Sequence, residues 1–261
     1  MIRSLSQWAH RRSQRLVFFL DLRVEMLIPL WILICGLFGT AKVAIAPIPP
    51  SDFSAWLFMQ LPFLLVAAAP ALGYRVAASV FPRDQLSAQP SVRLCRYGRW
   101  LEVDVVSARQ GAAFGPAGFM ASLIVGILLN VPVRSLEFLM TMPAVAPDAP
   151  EWAWRMMAVM TLDVVVMNFF YVVCFVMALR SVPLFPRMLL FAWMMDVEMQ
   201  LTIAQVVSRT DGVPPEIAAP LGAFLEGNLH KVLISAAVWL PYLILSKRVN
   251  LTFRQRVRAT V

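Results

Sequence analysis

Six stretches of the chain run almost without charge for the length of a bilayer-spanning helix, and polar, arginine-rich segments separate them. A hydrocarbon core about 30 Å thick needs roughly 20 helical residues. The pattern predicts helices over about Met26–Ala46, Phe53–Val80, Pro116–Met142, Trp152–Leu179, Arg187–Val207 and Pro215–Leu245. Pro62, Pro70 and Gly73 mark bend points in the second stretch, and Pro132 interrupts the third. The expected fold is therefore all-α: a polytopic membrane protein of six transmembrane helices.

Lysine and arginine orient the bundle. Residues 1–25 carry Arg3, Arg11, Arg12, Arg15 and Arg23, and the segment after the second stretch carries Arg75, Arg83, Arg93, Arg96, Arg99 and Arg109. Arg180 and Arg187 flank the fourth connection, and the tail holds Lys247, Arg248, Arg254, Arg256 and Arg258. Together these are eighteen of the 23 basic residues, and they fall on alternate connections; the others are acidic or nearly neutral, such as Ala144–Glu151 with Asp148. The positive-inside rule then predicts both termini in the cytoplasm. The organisation expected is a basic amphipathic segment (1–25), spans one and two (26–81), a basic cytoplasmic loop (82–114), a four-helix core (115–247) and a basic tail (248–261). Residues 3–23 and 95–114 mix arginine with Trp8, Phe18, Phe19, Tyr97 and Trp100, which suits helices lying on the headgroups; the readings are juxtamembrane anchoring or partner docking.

Composition strengthens the lipid reading. Of 261 residues, 60% are hydrophobic and only 15% charged, with a mean hydropathy of +0.71. That leaves too little polar surface to cover a water-soluble globule. The net charge of +8 would suggest nucleic acid in a soluble protein. Here it sits in short loops, so the partner expected is a bilayer with anionic headgroups, together with another membrane protein, and not nucleic acid. The Ala44-Ile45-Ala46 run resembles a signal-peptidase site, but Pro47 follows it, so the first stretch reads as an uncleaved span. The three cysteines, Cys35, Cys95 and Cys174, have no metal-ligand spacing, and no cofactor is expected. Gly118, Ser122 and Gly126, four apart, predict a smooth ridge for close helix approach, within the chain or between copies.

Ionisable residues at membrane depth are the candidate chemistry, because a charge there must meet a partner, a cavity or water. Asn130, Arg134, Glu137 and Thr141 form one helical stripe toward the outer leaflet, read either as an Arg134–Glu137 ion pair or as the wall of an outward-facing cavity. Asp163, Asp196, Glu198, Glu226, His230 and Lys231 fall near the middle of three further helices. Five acids against Arg134 and Lys231 cannot all be ionised in a low dielectric, so the cluster is either a hydrogen-bonded structural network or a proton relay. His230 reads as a partner of Glu226 or as a protonatable switch; with His10 the only other histidine, bis-histidine haem is excluded. No Gly-x-Ser-x-Gly, His-Glu-x-x-His or P-loop pattern occurs. Asp163 and Asp196 lack the Gly-Asp setting of intramembrane aspartyl proteases, since they follow Leu162 and Met195.

Trp239-Leu240-Pro241-Tyr242, Ser246-Lys247-Arg248-Val249 and Thr252-Phe253 resemble the closing signature of the bacterial membrane family catalogued as domain of unknown function 2569. Phe185-Pro186-Arg187 resembles that family's Phe-Pro-Arg turn, and Gly98-Arg99-Trp100-Leu101 its opening Gly-Gly-Trp-Leu, from which Arg99 departs. The resemblance spans roughly residues 115–255 and implies a bacterial envelope protein with no assigned activity. The expectation is therefore a non-enzymatic accessory or scaffold subunit of the bacterial inner membrane. A small proton-coupled transporter relaying through Asp163, Asp196, Glu226 and His230 is the alternative, and an intramembrane enzyme built on Asp163 and Asp196 is the third reading.

Overall fold

The computed structural model describes residues 2–83, 87–92 and 98–259, with backbone only for 2–7 and 9. Cys95 and the expected loop residues Arg93, Arg96 and Tyr97 lie outside the described residues. Long helices occupy all six expected stretches: α1 (Ile2–Ala44), α2 (Phe53–Val80), α4 (Phe119–Thr141), α5 (Glu151–Leu179), α6 (Phe185–Arg209) and α7 (Pro215–Leu245). Two short ones, α3 (Val105–Gln110) and α8 (Lys247–Arg254), complete an all-helical body. Among the described residues four helices, α2, α4, α5 and α7, are long and apolar enough to cross a membrane. In α6, Asp196 and Glu198 interrupt the apolar run, and the first half of α1 is rich in arginine.

The N-terminal segment departs from expectation. Instead of an interfacial piece followed by a separate span, α1 is one helix of 43 residues, about 65 Å long. The physical reason is local. Neither glycine nor proline falls between residues 2 and 28, and the stretch is full of arginine, leucine and glutamine, which favour the helix. Its first half packs on the end of α2: Leu20 and Val24 are buried with Tyr74 and Ala77, Asp21 pairs with Arg83 at 3.0 Å, and the Tyr74 hydroxyl donates to Glu25 at 2.9 Å.

Within the second expected interfacial segment, 95–114, helix is confined to α3 (Val105–Gln110), and a short strand precedes it. Trp100–Glu102 forms β1, which pairs antiparallel with β2 (Arg256–Arg258), Leu101 facing Val257. Backbone bonds from Ala259 to Arg99 and from Val103 to Gln255 extend the ribbon at both ends. Gln255 adopts the left-handed conformation that turns α8 into β2. Arg256 lies over the Trp100 ring, 4.9 Å from its centroid, and donates to Asn250 at 2.7 Å. The tail is thus an ordered cap. Phe253 on α8 packs against Phe185 at the start of α6, ring centroids 5.0 Å apart.

The arginine-rich segments gather at one end of the bundle. Gly118 donates to Ser13 on α1, Arg248 reaches the carbonyls of Phe114 and Gly115, Arg180 those of Ala78 and Phe81, and Arg187 that of Val92. Within the bundle, α5 is the central helix. Its α2-facing side is approached so closely at Gly73 that an added Cβ would lie 2.9 Å from the Phe169 carbonyl oxygen. Gly39 on α1 likewise sits against Gln60 and Phe63 of α2. The expected Gly118–Ser122–Gly126 ridge does not do this: nothing lies within 4 Å of a Cβ at Gly126, and Ser122 is exposed.

Candidate functional site

The polar centre of the bundle is built from one residue on each of three helices. Arg134 of α4, Asp163 of α5 and Asp196 of α6 are all buried. Measured along their helices from the arginine-rich end, they lie about 22, 24 and 16 Å in. The guanidinium divides its donors between the two acids. Nη1 lies 3.1 Å from both oxygens of Asp163, and Nη2 lies 2.6 and 2.8 Å from those of Asp196. Each carboxylate thus straddles a single nitrogen of the guanidinium, and the arginine joins two acids instead of forking onto one.

Two further side chains close the cluster. Tyr171, two turns beyond Asp163 on α5, donates its hydroxyl to Asp196 at 2.7 Å. Gln200, one turn beyond Asp196 on α6, places its amide nitrogen 3.3 Å from Asp163 and 3.5 Å from Asp196. Beside it, Asn168 donates to Ser135 at 2.7 Å, and Ser135 donates to the Val131 carbonyl. Ionised, the centre carries one cation and two anions. The arginine also stands between the aspartates, a different arrangement from the directly proton-sharing dyad of an aspartyl protease.

The expected Arg134–Glu137 pair is not formed. Arg134 turns inward to the aspartates, whereas Glu137 binds Lys231 of α7 at 2.9 Å, and Lys231 also donates to Asn228 at 3.2 Å. The cause is angular: residues three apart on a helix diverge by about 60°. That is enough to send Arg134 toward α5 and α6 and Glu137 toward α7. A cleft of about 160 Å³ separates α4 from α7, with Asn130, Asn228 and Ser235 on its walls and Arg134, Tyr171 and Asp196 at its floor. The Lys231–Glu137 pair bridges its two walls.

The remaining sequence candidates stay outside this centre. Glu198, opposite Asp196 on α6, is exposed, and so are Glu226 and His230 on α7. Among the described residues no hydrogen bond joins Glu226 to His230, so the four-member relay Asp163–Asp196–Glu226–His230 is not assembled within one chain. Nor do three His, Cys, Asp or Glu side chains converge as metal ligands among the described residues. Tyr171 and Ser135 are the members that sequence reading missed. A tyrosine inside an apolar run, whose hydroxyl needs a partner once buried, was the available signal for the first. Compared with family models, curated proteins and solved structures, the chain matches none.

Proposed function

We propose that this chain is a non-enzymatic, six-span subunit of the bacterial inner membrane, with both termini cytoplasmic, which serves as an accessory or scaffold for another membrane component. The observation that carries the reading is the sorting of its ionisable groups. The buried ones are paired, Arg134 with two aspartates, and the more exposed Lys231 binds Glu137 across the cleft. Those facing outward at the same depth, Glu198, Glu226 and His230, are exposed on the single chain. Hydrocarbon cannot solvate them, so the surface that bears them is made to be covered by protein.

Two features support the span count and orientation. α6 packs between α5 and α7, which are both apolar enough to span, and a helix held lengthwise between two spans crosses with them. The gathering of basic segments at one end fits a single cytoplasmic face. The resemblance in the closing motif adds the bacterial envelope setting. Purification of the full chain in mild detergent from its native membrane is the test. A constant partner in stoichiometric amount is the expected result, and recovery of monomer alone contradicts it.

A second reading, the proton-coupled transporter, draws on the cleft that leads to Arg134 and Asp196. Its test is Asp163→Asn with Asp196→Asn: on this reading the double change abolishes proton-linked uptake, and uptake that survives it removes those acids as the relay.

A further inference from the structure

We infer that the outer face of α7 pairs two copies of this chain in the membrane, with Glu226 of each copy accepting a hydrogen bond from His230 of the other. The inference rests on the reading above, that the chain is a membrane subunit whose outward charges are covered by protein, and it names what covers them.

α7 is the least buried of the four apolar helices. One face, with Leu225, Asn228, Val232 and Leu243, is buried in the chain, and the side with Asn228, Lys231, Ser235 and Trp239 walls the cleft. On the opposite side, Ala219, Ala223, Glu226, His230, Leu233 and Ala237 are all exposed, spaced four, three, four, three and four. Alternating steps of three and four keep residues on a single helical stripe, the spacing by which one helix seats against another. Side chains at both ends of the stripe are small, and Gly222 beside it opens onto empty space, so a second backbone can approach closely.

At the centre of this stripe stands an acceptor, Glu226, one turn from a donor, His230. Back from the cytoplasmic end of α7 at Leu245 they lie about 28 and 22 Å along the helix, inside the thickness of a hydrocarbon core. Their chemistry identifies the occupant. Two copies of one chain insert with the same orientation, so two α7 helices meet in parallel, related by a two-fold axis along the membrane normal. In such a contact residue i of one copy meets j of the other, and j meets i. A carboxylate and an imidazole one turn apart are then complementary to themselves: each Glu226 sits diagonally opposite the other copy's His230, and two reciprocal bonds form. A helix from an unrelated protein needs its own matching donor and acceptor at the same two depths; a second copy has them already.

The test is oxidative cross-linking in native membranes of the full chain carrying Leu233→Cys, with Cys35, Cys95 and Cys174 replaced by serine. Leu72→Cys, on the exposed side of α2, is the control. A cross-linked dimer through position 233 and not through position 72 is expected. Glu226→Leu should lower the cross-linked fraction about fivefold, the size of one to two interhelical polar contacts. Glu226→His alone should do the same, and Glu226→His with His230→Glu should restore it, because the exchange leaves the reciprocal pairs intact. Dimer that persists undiminished in Glu226→Leu overturns the pairing, as does failure of one tagged copy to co-purify with a second, differently tagged copy. If a different membrane protein is recovered and no self-cross-link forms, the pairing falls while the subunit reading stands. If neither partner is found, both fall.

Discussion

Arg134 Nη2 lies 2.6 Å from Asp196 Oδ1, and the two residues belong to helices, α4 and α6, that flank α5 on different sides. With Asp163 contributed by α5 itself, a single guanidinium fixes the rotation of three helices at once. Hydrocarbon packing is nearly indifferent to small rotations of an apolar helix in lipid. A set of hydrogen bonds to two acids is not, because each bond weakens steeply when its donor turns away from the acceptor.

Arg134→Met should therefore be among the most damaging single changes, since it leaves two buried carboxylates with no counter-charge. The expected cost is about 3–5 kcal/mol, read as a lowered midpoint of thermal unfolding in detergent. Adding Asp163→Asn and Asp196→Asn to the same chain should recover most of that loss. A triple variant no better than Arg134→Met refutes the idea that unpaired charge is the cause.

Tyr171→Phe tests the second tier of the cluster. It keeps the ring and removes the hydroxyl that donates to Asp196, a bond to a charged acceptor of the kind that contributes about 1.5–3 kcal/mol. An unchanged unfolding midpoint would mean that the tyrosine is packed there without holding the acid.

Gly73 and Gly126 should respond in opposite ways. A Cβ at Gly73 meets the α5 backbone at Phe169, so Gly73→Ala forces α2 away from the central helix at a cost of about 1–3 kcal/mol. Gly126 faces open space, and Gly126→Ala should lie within about 0.5 kcal/mol of the parent. Equal effects at the two positions would contradict the packing described.

The orientation is checked by labelling in intact cells with a membrane-impermeant maleimide. Cysteine introduced by Asp148→Cys, between α4 and α5, should react from outside, and native Cys95 should react only after the membrane is opened. Reaction of Cys95 in intact cells inverts the assignment.

The helices were legible because their cause is local. An apolar run long enough to span shows in the residues themselves, and α2 and α7 begin and end where the sequence places them. Position along each helix was legible too, which is why Asp163 and Asp196 stood out as polar residues well inside long helices. What the sequence hides is rotation about the helix axis relative to neighbours. Whether Arg134 meets Glu137 on its own helix or acids on two others depends on how α4 sits against α5, a long-range matter. The glycine ridge follows the same rule: small residues mark where a neighbour can approach, Gly73 and Gly39 are where helices of the same chain do, and Gly126 is left open. The three-residue strands β1 and β2 carry too little pattern to betray a pairing across some 150 residues of chain.

That ribbon has a consequence for biogenesis. β2 follows α7 and α8, so Trp100–Glu102 waits without its partner strand until the last long helix has been translated and inserted. The pairing of Leu101 with Val257 therefore cannot form before residues 256–258 have been made, however early Trp100–Glu102 leaves the ribosome.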